Sequence, residues 1–213
     1  SGSGVWLNPG IWERYNGSTW SAAATPPNGT SGVIIIQNMH SVSVGSGQTV
    51  TADEIILAGE LTVETTGTFI VANGSGIDLM LVNAGASLVV HGSLIRQDLS
   101  QISNPFTSDN IRFEAGSVYD HQFTNSVGEM PPATWSPTST LLFSSFANAT
   151  NISGNSTWDQ AYGNIVFNSP AQRAVVDFNG HIKSIKGNLS VQNTGKSILR
   201  LSNTSSYTLE LGE

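Results

Sequence analysis

Residues 54–90 read EIILAGELTVETTGTFIVANGSGIDLMLVNAGASLVV. Short β-favouring runs recur through this stretch: Glu54–Leu57, Leu61–Glu64, Thr68–Ala72, Asp78–Val82 and Ser87–Val90. They are bounded by Gly, Asn or Ser, the punctuation that ends a strand. Gly59, Gly67, Gly76, Gly85 and Gly92 follow one another at intervals of 8, 9, 9 and 7 residues. A β-sandwich, the alternative, also has short strands at such spacing. Its hairpins carry charge on the solvent side, whereas several of these runs are almost wholly apolar. Units that cannot bury their own face but stack on their neighbours define a solenoid. Two or three per coil give roughly 16–27 residues, which predicts a parallel β-helix.

The pattern extends in both directions. Val33–Gln37 and Ser41–Val44 precede it; strands are expected again at Asn110–Asp120, Thr140–Phe146, Asn164–Asn168, Ala174–Phe178, His181–Lys186, Asn188–Gln192, Ile198–Leu201 and Tyr207–Leu211. Residues 33–213 are therefore expected to form the solenoid. Residues 97–109 and 125–138, with Pro105, Pro131, Pro132 and Pro137, read as polar loop excursions. Residues 1–32 hold Trp6, Trp12, Tyr15 and Trp20 in a Pro- and Gly-rich context. They read as an irregular segment whose rings cap the first coil, because a covered end protects against edge pairing. On that reading Trp12→Ala lowers stability; a sugar-stacking platform is the alternative. The last run stops at Gly212-Glu213 without a cap, so the chain is expected to be truncated there.

Composition narrows function. The 213 residues include 29 Ser, 19 Thr and 18 Asn, with 8 Lys and Arg against 15 Asp and Glu, a net charge of -7. Nucleic-acid binding needs clustered positive charge, so none is expected, nor is anchoring to anionic membranes. There is no cysteine, which removes disulfides and thiolate chemistry. No 18-residue apolar run is present, so membrane insertion is not expected. No signal peptide is visible at Ser1; an exported chain would be the mature form.

Candidate sites are few. Residues 73–81, NGSGIDLML, approach the calcium-binding nonapeptide, whose Asp supplies hard oxygen. Asp78 is the candidate metal ligand and calcium the candidate ion. That site needs tandem copies, and only one is found, so a Gly turn leading into a strand is the plainer reading. Glu114, Asp120 and His121 share a segment, but Glu114 and Asp120 would lie roughly 20 Å apart on a straight strand, too far for a carboxylate pair. His40, His91, His121 and His181 have no metal-site spacing. Thr49-Val50-Thr51 is a single T-x-T, too little for an ice-binding array. No nucleophile elbow or phosphate-binding loop is present. Eight sequons, at Asn16, Asn28, Asn73, Asn148, Asn151, Asn155, Asn188 and Asn203, arise readily in so Asn-, Ser- and Thr-rich a chain.

The segments WLNPGIWERYNGSTWSAAATPP, GVIIIQNMHSVSV and GQTVTADEIILAGELTV resemble the opening of large surface proteins of Bacteroidota. NISGNSTWDQAYGNIVFNSPAQ and HIKSIKGNLSVQNTGKSILRLSN are similar to their downstream region. The resemblance implies the N-terminal region of a longer protein exported by the type IX secretion system, extracellular or at the cell surface. It carries over no catalytic residue. The expected function is a non-catalytic structural or adhesive β-solenoid, with cell-surface or secretion-system proteins, or glycans, as partners. The alternative is a carbohydrate-binding or polysaccharide-processing β-helix with 97–109 and 125–138 forming one wall of a glycan groove.

Overall fold

The computed structural model describes residues 2–148, 152, 156–202 and 208–211. Alternation of apolar and polar residues puts every second side chain of a strand on one face. In Glu60–Val63, Leu61 and Val63 are buried while Glu60 and Thr62 are only half-buried; Thr68–Val71 repeats the pattern with Phe69 and Val71. Such strands have one apolar face and stack into a parallel β-solenoid of about 7 turns.

Three faces enclose the core. One stacks Ile34–Ile36, Ile55–Leu57, Leu79–Leu81 and Ile102–Ser103. The second stacks Gly4–Val5, Ser41–Val44, Glu60–Val63, Ser87–Val90, Ile111–Phe113 and Thr134–Trp135. The third runs from Thr49–Ala52 through Thr68–Val71, Ser93–Arg96, Val118–His121, Thr140–Phe143 and Asn164–Asn168 to Leu189–Asn193. Every pairing within these faces is parallel. Ile34, Ile55, Leu79 and Ile102 occupy matching positions in successive coils, 21, 24 and 23 residues apart. Inward columns such as Val50, Phe69, Leu94, Tyr119, Leu141 and Ile165 form one continuous core.

Some of the punctuating glycines have a steric role. A β-carbon on Gly92 would lie under 3.0 Å from the carbonyl oxygens of Gly67 and Glu64, in the coil before it. Gly59 is pressed in the same way against Gln37 and His40, but Gly76 has open space around it. Gly92→Ala is therefore expected to cost about 1–3 kcal/mol, since the obstruction is backbone and cannot rotate away. Gly76→Ala is expected to leave the urea midpoint within experimental error.

The leading segment differs from the sequence expectation. It contains a strand, Gly4–Val5, paired on Ser41–Val44, and an antiparallel hairpin, Glu13–Tyr15 with Trp20–Ala22. The aromatic residues divide. Trp6 and Trp12 are 0% and 5% exposed, with ring centroids 5.0 Å apart, and Trp6 packs on Phe69 of the third face. Each indole N–H is satisfied: Trp6 donates to Pro27 O at 2.8 Å and Trp12 to Trp6 O at 2.7 Å. Tyr15 and Trp20, at 51% and 58%, are exposed instead.

Residues 97–109 and 125–138 are also not simple excursions. Strands Ile102–Ser103 and Thr134–Trp135 lie within them, and Asn104, Met130, Ala133 and Trp135 are buried. Gly212-Glu213 and the sequons at Asn151, Asn155 and Asn203 lie outside the described residues.

Candidate functional site

Period-2 alternation carries Arg96 and His121 inward, because they follow Leu94 and Tyr119 by two residues on adjacent strands. They stack in one inward column, Val71, Arg96 and His121. Both are buried, and they form a titratable cluster set into the apolar interior. A buried charge needs partners. Arg96 takes no carboxylate among the described residues. Its Nε and Nη2 donate to Ser100 O at 2.9 and 2.6 Å, and its Nη1 donates to Glu129 O. The guanidinium also sits 4.8 Å from the Phe123 ring centroid, a cation–π contact.

His121 lies in an aromatic cage. Phe123 stacks on it at 4.3 Å between centroids, while Phe143, Phe146 and Trp158 meet it edge-on. Nε2 is 2.8 Å from Val127 O, so this nitrogen carries the proton. Nδ1 is left as acceptor for the Tyr119 hydroxyl at 3.4 Å. Burial, and then the Arg96 charge, lower the His121 pKa to about 3. Burial raises that of Tyr119. Perturbed groups of this kind often mark catalytic sites. Here His121 is fully buried and its ring nitrogens face Val127 and Tyr119. Arg96 and His121 act as internal anchors, drawing residues 97–100 and 127–129 onto the core.

The other candidates are dispersed. Glu114 pairs with Arg112 at 3.4 Å on the solvent side. Asp120 points outward from the third face, accepting from Ser144 Oγ at 2.6 Å and Gln122 Nε2 at 2.8 Å; burial raises its pKa. His121 faces the interior, so these three do not converge. His181 and Lys183 both hold Asp159, at 3.0 and 2.6 Å. Burial opposes ionisation of Asp159, but those two partners outweigh it and lower its pKa. Thr49 and Thr51 are followed in the next coil by Thr68 and Ile70, so the T-x-T does not repeat.

Asp78 is buried at the head of Leu79–Leu81. One oxygen accepts from the Gly74 N–H, the other from the Gln101 N–H at 2.6 Å in the following coil. The carboxylate thus ties its own turn to the next. Asp53 lies beside it, its pKa raised by burial and then by Glu54. Among the described residues no three His, Asp or Glu side chains are placed to hold a metal ion. Asp78→Ala strands two backbone donors, so a loss of about 2–4 kcal/mol is expected from urea unfolding. Melting in calcium and in chelator is expected to coincide; a rise with calcium would make Asp78 an ion ligand.

Fold and interior together define a parallel β-solenoid in which buried Arg96, His121 and Asp78 bind the chain's own backbone. No family model, curated protein or solved structure matches the chain. Among the described residues no helix is long and apolar enough to cross a membrane.

Proposed function

We propose that this chain is a non-catalytic structural and adhesive segment of a large bacterial surface protein, extracellular and exported by type IX secretion. The observation that carries the non-catalytic reading is the commitment of the candidate groups described above. Arg96, His121 and Asp78 hold backbone of adjoining segments, and Glu114, Asp120 and Asp159 lie apart with local partners. A solenoid also suits a spacer, because each coil contacts only its neighbours and length can grow without redesign. The sequence resemblance supports the surface and secretion assignment. Other cell-surface or secretion-system proteins are the partners this reading implies.

The test is incubation with a panel of neutral and acidic polysaccharides, scored for new reducing ends. The reading predicts no turnover. Sustained release of reducing ends, lost on substitution of a solvent-facing carboxylate such as Asp120 or Glu114, would replace it with polysaccharide processing.

A further inference from the structure

The rings of Tyr15 and Trp20 stand where burial does not account for them. Of the five tryptophans, Trp6, Trp12, Trp135 and Trp158 are buried and Trp20 is exposed. Tyr15 and Trp20 are directly opposite in the hairpin, which puts both rings on one face, with centroids 5.1 Å apart and planes tilted by 39°. Period 2 adds Glu13 to that face. The Glu13 carboxylate has neither an ion pair nor a side-chain hydrogen bond among the described residues.

Hydrogen bonds hold the turn, the Tyr15 ring and the base of the hairpin. The Asn16 side chain accepts from the backbone N–H groups of Ser18 and Thr19 at 3.0 and 2.9 Å, closing the turn. The Tyr15 hydroxyl donates to Gly17 O at 3.0 Å, fixing its ring. Ala23 N donates to Trp12 O at 2.9 Å, which ties the hairpin base to the buried cap. Beneath the hairpin is a groove of about 580 Å³, lined by both rings, Glu13, Arg14, Val33 and Gln37. Preorganised rings lose little freedom when a ligand settles on them.

We propose that the hairpin is a binding site for neutral glycans. A pyranose presents an apolar C–H face, which stacks on Trp20 and Tyr15, and a hydroxyl edge. Vicinal hydroxyls are donors, matching Glu13, an acceptor-only group when ionised. That carboxylate shares the ring face, whereas Arg14 alternates to the other face of the strand, so in a chain of net charge -7 the platform opposes uronic-acid polymers. The groove continues the platform toward Ile34–Ile36, so an oligosaccharide rather than a single sugar fits it. This rests on the adhesive half of the proposed function and names its ligand.

The test is affinity electrophoresis of the full chain through gels containing galactomannan, xyloglucan or laminarin, with alginate and polygalacturonate alongside. At least one neutral polymer is expected to retard the wild type, and the two acidic polymers are not. Trp20→Ala is expected to weaken binding about tenfold, Trp20→Phe to recover part of it, and Glu13→Gln to weaken it without changing volume. Because both positions are exposed, melting should be unchanged in all three. Four results would overturn the proposal: no retardation by any neutral polymer, equal retardation of wild type, Trp20→Ala and Glu13→Gln, equal retention by the acidic polymers, or Trp20-dependent fluorescence quenching by tetramethylammonium alone. Failure here leaves the non-catalytic reading intact, whereas polysaccharide turnover would remove that reading and leave this site standing.

Discussion

Trp135→Ala is expected to destabilise the protein by about 3–5 kcal/mol, the range for deleting a fully packed Trp. Trp135 is 2% exposed and stacks on Phe113 at 4.2 Å between centroids, with Tyr162 at 5.2 Å on its other side. It bridges the coil above to the coil below. Its indole N–H donates to Gln160 Oε1 at 3.0 Å, a bond that anchors residue 160 of the next coil. In a solenoid the loss is felt at one interface rather than across the whole molecule. Hydrogen exchange should accelerate in Ala161–Tyr162 and Ser184–Ile185, stacked below Trp135, before it accelerates in Glu60–Val63. Uniform acceleration along the chain would contradict a coil-by-coil core.

The second large effect is acid sensitivity centred on His121. Its folded pKa is about 3 against 6.5 when unfolded. Between those values the unfolded chain binds a proton that the folded chain refuses. Stability is therefore complete above about pH 6.5 and falls as pH drops toward about 3, by up to about 5 kcal/mol. The groups facing the ring are Tyr119 and the aromatic cage; Arg96 is the charge that adds to burial. Asp159, with its lowered pKa, adds loss of the same sign further into acid. Asp120 and Asp53, with raised values, act in the opposite direction within the carboxylate range. His121→Gln keeps a donor for Val127 O but cannot take up a proton. Urea midpoints from pH 7 to pH 4 should fall steeply in the wild type and more shallowly in this variant. Parallel slopes would mean that the ring is not the sensing group.

How much of this was legible in the sequence depends on what each residue needed as a partner. The coil pattern was readable because it is local: Leu61, Val63, Phe69 and Val71 alternate within their own strands, and Gly59, Gly67 and Gly92 mark real corners. Gly76 keeps the same cadence with open space around it, and Gly85 meets only the Asn83 side chain, at 3.3 Å, so the regularity overstates their role. The hairpin has a local signal, the Asn16-Gly17 turn between Tyr15 and Trp20. The run of prolines and aromatics around it masked that signal. The division of the aromatic residues into buried Trp6 and Trp12 and exposed Tyr15 and Trp20 depends on how the hairpin docks, which no local pattern encodes.

Arg96 carries no motif that marks it in the sequence. Alternation after Leu94 points it inward, but a guanidinium in a core is read as an error unless its partners are known. Those partners are carbonyls at positions 100 and 129, supplied by segments that read as loose loops. The same carbonyls explain why 97–109 and 125–138 lie against the core. Asp78 stands out in the sequence by its motif spacing, while its bond to Gln101 N, 23 residues onward, exists only once the coils are stacked.

On the proposed function, these coils form one stretch of a larger structural protein at the cell surface. Surface biotinylation of intact source cells, followed by capture with an antibody to this chain and intact-mass analysis, tests it directly. The predicted result is a labelled species far above 22.4 kDa. A species near 22.4 kDa, recovered only after lysis and carrying no label, would contradict it.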